Sequence, residues 1–179
     1  MIYALVAALV LGAASTFGDA LWAGLSLRHR MAYGLAHGAL LCLLIGIIVG
    51  FRGGRTRAGA LAGPLIGICA AAVFYLLAPR FGYYAMFPAW MFFWICFALL
   101  LPILERSSRW RDAFVRGLVA AVLSGLAFFA ISGIWTRPPA GGPNYLYNFG
   151  AWSFAFLPGF AALFTRRPAR VTADGIVNR

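Results

Sequence analysis

Mostly apolar runs with very few charged residues dominate the chain and divide it into six segments. Each run holds about 20 residues, enough for a helix rising ~1.5 Å per residue to cross ~30 Å of hydrocarbon. The runs cover residues 2–24, 31–51, 58–78, 84–104, 115–135 and 148–165. This pattern predicts an all-α, polytopic membrane protein with six transmembrane helices in a single domain, residues 1–165.

The basic residues are distributed unevenly between the two ends of these runs. All 15 basic residues are arginine, and if the six spans alternate, 11 of them share one side of the membrane. The 11 are Arg52, Arg55, Arg57, Arg106, Arg109, Arg111, Arg116, Arg166, Arg167, Arg170 and Arg179. By the positive-inside rule both termini are cytoplasmic, and we expect a multi-pass protein of the cell (inner) membrane.

Two cytoplasmic segments concentrate this positive charge, residues 105–116 and the tail that follows the last span. We expect them to attract anionic lipids at the cytoplasmic face, at about 1 kcal/mol per basic residue near the surface. Residues 166–179 are predicted to form a disordered basic tail. The net charge of +11 follows from this asymmetry, so it does not indicate a nucleic-acid partner.

Small residues recur at every fourth position in the first three runs. Such rows let helix backbones approach closely in lipid, so we expect these three helices to pack tightly together. The same seams are candidates for contact with partner membrane subunits, through Gly34, Gly38, Gly59, Gly63 and Gly67.

Aromatic residues line one face of the fourth run, at intervals of four and three residues. They are Tyr83, Phe87, Trp90, Trp94 and Phe97. One interpretation is a bulky packing or lipid-facing stripe; the other is a wall for a flat ligand, which stays open because Trp90 and Trp94 lie deeper than the usual interfacial belt.

The outward loop over residues 136–148 is rich in proline and glycine, which disfavours regular structure. It is either a lid over the outer face or a plain connector with tyrosines at the interface. In the first case Trp135, Asn144 and Asn148 would contribute to an outward-facing ligand site.

Asp19 is the one acidic residue within a long apolar run, and His37 is the one histidine within such a run. Counting along the helices places them about 7.5 Å and about 9 Å below the same surface. An antiparallel hairpin would therefore bring them to one level. If they meet, they could share a proton and form a proton-coupled or cation-binding site; the alternatives are a structural hydrogen bond or an Asp19 contact with Arg28 or Arg30.

Several kinds of chemistry have no support in the sequence. The chain has no lysine for a Schiff base, and no metal-ligand cluster, catalytic triad or phosphate-binding loop is evident. No cofactor and no metal site are predicted, although single axial ligation of a haem or chlorophyll-type pigment stays open. The sequence therefore favours a non-enzymatic protein.

The number of spans, the small-residue rows and an outward pocket formed by later helices together resemble the substrate-capture subunits of energy-coupling-factor vitamin transporters. This resemblance of size and pattern implies a transport or ligand-binding subunit whose outward-facing site contains Asp19, His37, Trp90, Trp94, Trp135, Asn144 and Asn148. The alternative is an accessory or scaffold subunit of a larger membrane complex. An intramembrane enzyme is a third hypothesis.

Overall fold

The computed structural model describes residues 1–25, 30–136 and 144–165, with side-chain detail for residues 1–21, 31–131 and 144–165. The described chain is helical, and a helix lies over each of the six apolar runs. The α-helices are α1 (Ile2–Leu25), α2 (Arg30–Arg52), α3 (Thr56–Phe81), α4 (Met86–Glu105), α5 (Trp110–Thr136) and α6 (Tyr145–Phe164).

Four helical segments in the described chain are long and apolar enough to cross a membrane. They are Ile2–Leu21, Met31–Arg52, Thr56–Glu105 and Trp110–Ile131. The third segment contains both α3 and α4, which contact each other. Large apolar side chains on the outside of the bundle, such as Leu61 and Leu76, are exposed, as expected for helices surrounded by lipid.

The helices are arranged as a ring in chain order. Each helix contacts the next one along the chain, and α6 packs against α1, which closes the ring. The contact between α1 and α2 is the least extensive in this circuit, whereas α2 and α3 make the most extensive one. A ring of helices leaves its centre to be filled by side chains or to stay open as a cavity.

Glycines allow the backbones of α2 and α3 to touch. A Cβ atom added to Gly38 would lie 2.9 Å from the carbonyl oxygen of Gly67, and one added to Gly63 would overlap the carbonyl oxygen of Cys42. Gly46 and Gly59 face each other in the same way. Any side chain larger than hydrogen at these positions would push the two helices apart.

The small residues of α1 have a different partner from the one expected. We predicted that α1 packs with α2 and α3, but its main contact is with α6. Ala4 and Ala8 are buried, and Gly12 lies against Ser153 and the backbone of Phe149. A row of small residues permits a close approach without specifying the helix that approaches, and here ring closure brings α6 to that face.

A single turn of 3₁₀ helix, Gly82–Ala85, connects α3 to α4. Gly82 has a φ of +54° and its N–H donates a hydrogen bond to the Ala78 carbonyl at the end of α3. Positive φ is readily adopted only by glycine. This residue therefore ends α3 and lets the chain reverse direction within a few residues.

Some sequence predictions concern residues outside this description. They are the disordered tail at 166–179, the side chain of Trp135, most of the loop between α5 and α6, and the Asp19 contacts with Arg28 or Arg30.

The close α2–α3 contact can be tested by comparing two glycine-to-alanine substitutions. Gly63→Ala should lower the free energy of unfolding by about 1–3 kcal/mol, because its methyl group would overlap backbone atoms that cannot rotate away. In Gly150→Ala the added methyl group meets no atom within 4 Å, so the higher helix propensity of alanine should leave stability unchanged or raise it by up to about 1 kcal/mol. Unfolding followed by circular dichroism in mild detergent would measure both, and equal effects would contradict the contact.

Candidate ligand site

A cavity of about 310 Å³ lies between α2, α3, α4, α5 and α6 and is partly open to the surroundings. It occupies the half of the bundle where α2, α4 and α6 begin and α3 ends. Eight of its 19 lining residues are aromatic, namely Phe74, Tyr75, Tyr83, Trp90, Phe93, Phe128, Trp152 and Phe156. Its volume is at the lower end of the range of about 300–1,000 Å³ that is typical of small-molecule pockets.

Six residues of α2 line the cavity, and two of them are the glycines Gly34 and Gly38. The hydroxyl end of Tyr75 on α3 lies directly over Gly34. A side chain on Gly34 would displace this phenol ring. The glycines therefore both bring α3 close and let its aromatic residues reach the cavity.

Four rings from α4, α5 and α6 form a stacked group on the other wall. Trp90 stacks on Phe128 with centroids 4.8 Å apart, and on Phe156 at 5.5 Å. Trp152 stacks on Phe156 at 5.8 Å and makes a tilted contact with Phe128 at 5.0 Å. Each of the four rings contacts two of the others, so the rings hold one another in place along this wall.

Asp19 contributes to this wall indirectly. Its carboxylate accepts a hydrogen bond of 2.7 Å from the indole Nε1 of Trp152. Asp19 does not line the cavity itself, whereas Trp152 does. The carboxylate on α1 thus fixes the orientation of a ring on α6 that faces the cavity.

His37 lies at the same level as Asp19 but makes different contacts. Its imidazole rests against Gly18, the residue before Asp19, and stacks on Tyr33 with centroids 5.6 Å apart. The Tyr33 hydroxyl donates a 2.5 Å hydrogen bond to the Gly18 carbonyl. Among the described residues, no hydrogen bond joins Asp19 to His37, so the carboxylate is paired with an indole and the imidazole packs on the α1 backbone.

The structure places the other predicted site residues in separate locations. Trp90 lines the cavity, but Trp94 is fully buried below it, against Gly159 and edge-on to Phe160. Asn144 is exposed and caps α6, its side chain accepting a 3.1 Å hydrogen bond from the Tyr147 N–H. Asn148 is half-buried in the first turn of α6, and neither asparagine lines the cavity. The structure therefore gathers His37 and Trp90 at the cavity, with Asp19 behind Trp152.

Trp152 is the main site residue that we did not predict. It lies seven residues after the start of α6, about 10.5 Å along the helix. The depth count that relates Asp19 to His37, if extended to α6, would have put this indole near the same level. Such a count gives the depth of a residue but does not show that α6 is the neighbour of α1.

The described residues contain no group of three or more His, Cys, Asp or Glu side chains that could hold a metal ion. Comparisons of this chain with protein-family models, with curated proteins and with solved structures found no match.

Proposed function

We propose that this chain is a non-enzymatic membrane protein that binds a flat, weakly polar small molecule in the aromatic cavity, as a transport or substrate-capture subunit. In this proposal all six helices cross the cell (inner) membrane, both termini are cytoplasmic and the cavity opens outward. The membrane assignment is supported by the long apolar helices with exposed apolar side chains.

The observation that carries this proposal is the stack of Trp90, Phe128, Trp152 and Phe156 beside an open space. A planar ligand could insert against these faces and gain both burial of apolar area and ring stacking.

The lining also indicates the chemistry of the ligand. Among the described residues that form the cavity wall, none is an arginine, aspartate or glutamate. A strongly charged ligand would lose its hydration without an ionic partner, which is costly. His37 can exchange one or two hydrogen bonds, so the best fit is a small ring system with few polar atoms.

The accessory-subunit alternative depends on the glycine seams. Gly38, Gly59, Gly63 and Gly67 all make close contact within the α2–α3 pair. These glycines therefore have no free face to offer another helix while that pair is intact. A partner subunit would have to bind elsewhere on the bundle, so we place ligand binding first.

Filling the cavity should abolish ligand binding. Ala89 lines the cavity, so Ala89→Leu places three more carbon atoms in that space, whereas Ala130 is exposed on α5 and Ala130→Leu adds the same atoms facing outward. Each protein would be purified from native membranes in mild detergent and its small molecules identified by mass spectrometry. N-phenyl-1-naphthylamine, a neutral flat fluorescent probe, would be titrated into each protein in parallel.

We expect the wild type and Ala130→Leu to retain the same ligand or bind the probe, and Ala89→Leu to lose roughly tenfold or more in occupancy or affinity. Size-exclusion chromatography and thermal unfolding would establish that Ala89→Leu is folded. Equal binding by the two variants, or no binding by the wild type, would contradict the proposed function.

The hydrogen bond between Asp19 and Trp152 should stabilise the fold measurably. Asp19→Ala removes the carboxylate that accepts from the half-buried Trp152 indole, so we expect the free energy of unfolding to fall by about 1–3 kcal/mol. Asp19→Asn keeps an oxygen acceptor and should lose less. Combining Asp19→Ala with Trp152→Phe removes both partners of the bond. The double variant should therefore lose less stability than the sum of the losses in the two single variants. Strictly additive losses would argue against the bond.

The proposed topology predicts the outcome of reporter fusions. Alkaline phosphatase, which is active only outside the cytoplasm, should be active when fused after Gly82 and inactive when fused after Gly54 or at the C-terminus. Green fluorescent protein at the C-terminus should fluoresce. An active phosphatase at the C-terminus would exclude the cytoplasmic placement of that end.

A further inference from the structure

A second pocket, which we call the basic pocket, lies at the end of the bundle opposite the aromatic cavity. Its volume is about 560 Å³, and it is formed where α2, α4 and α6 end and α5 begins. Its charged lining consists of Arg52, Arg106, Arg109, Arg116, Glu105 and Asp112. Four arginines and two carboxylates give this lining a formal charge of +2.

The two acids do not neutralise the pocket. Asp112 forms a 2.6 Å ion pair with Arg116 one turn further along α5. Besides this ion pair, three arginines and one acid line the pocket, namely Arg52, Arg106, Arg109 and Glu105.

The inner part of the pocket has a different character. Leu101, Pro102, Leu163 and Phe164 provide an apolar surface beneath the arginines. The N-terminus of α5 also borders the pocket, through Arg109 and Asp112, and a helix N-terminus favours negative charge. A cationic rim above an apolar floor matches a molecule with an anionic head and a hydrocarbon chain.

We propose that the basic pocket is a specific binding site for an anionic phospholipid. The guanidinium groups of Arg52, Arg106 and Arg109 hold its phosphate, and an acyl chain lies along Leu101 and Phe164. Basic pockets between membrane helices are known to bind phospholipid head groups. This site is separate from the aromatic cavity and does not depend on its ligand.

Two pairs of arginines provide a matched test. Arg52→Gln with Arg109→Gln removes two charges from the pocket, whereas Arg55→Gln with Arg111→Gln removes two charges from exposed positions near the same helix ends that do not line it. Both double variants have the same net charge. Native mass spectrometry in mild detergent would measure retention of short-chain phosphatidylglycerol, with phosphatidylcholine of the same chain length and inorganic phosphate as competitors.

We expect the wild type to retain one phosphatidylglycerol in preference to phosphatidylcholine. The pocket variant should bind it roughly 30-fold more weakly and the control variant within about threefold of the wild type. The wild-type preference needs no variant, so it tests the site even if the pocket variant fails to fold. Equal loss in both variants would show diffuse surface attraction only, and displacement of the lipid by millimolar inorganic phosphate would show a free-anion site; either result would overturn the proposal.

Discussion

The contact between the backbones of α2 and α3 is the constraint on which the aromatic cavity depends. Glycines at Gly38, Gly63 and Gly67 bring these two helices together so closely that no side chain separates them. On the opposite side of the bundle, large aromatic side chains such as Trp90 and Phe128 lie between α4 and α5. The close α2–α3 pair places Phe74 and Tyr75 of α3 beside the glycines of α2, and the cavity is the space between these residues and the stacked rings.

Asp19 illustrates how a polar group in an apolar helix can serve a site that it does not touch. In lipid an isolated carboxylate is costly, so its position must be compensated by a partner. The partner is the Trp152 indole, which would otherwise need another acceptor for its N–H. The bond joins α1 to α6, across a sequence separation of 133 residues, and fixes the Trp152 indole in the cavity wall. The contact that closes the circle of helices therefore also shapes the cavity.

The sequence predicts the positions of the helices well, because apolar runs of the right length leave little choice for a chain in lipid. It also predicts the face of α4 that carries Trp90, because helical periodicity alone puts the aromatic residues of this run on one side of the helix. It does not predict that α1 packs on α6, or that Asp19 pairs with Trp152 and not with His37. Those contacts depend on the order of the helices around the ring. Small residues mark the faces that can come close, but they carry no information about which faces meet.

Buried aromatic residues separate the aromatic cavity from the basic pocket. On α4, Phe93 borders the aromatic cavity and Ala98 borders the basic pocket, while Trp94 and Phe97 between them are fully buried. Phe160 of α6 packs against Trp94 at the same level. These rings close the centre of the bundle, so a ligand in the cavity has no open path to the opposite end. Release on that side would require the α4 and α6 rings to separate, which favours capture of a ligand by this chain over free conduction through it.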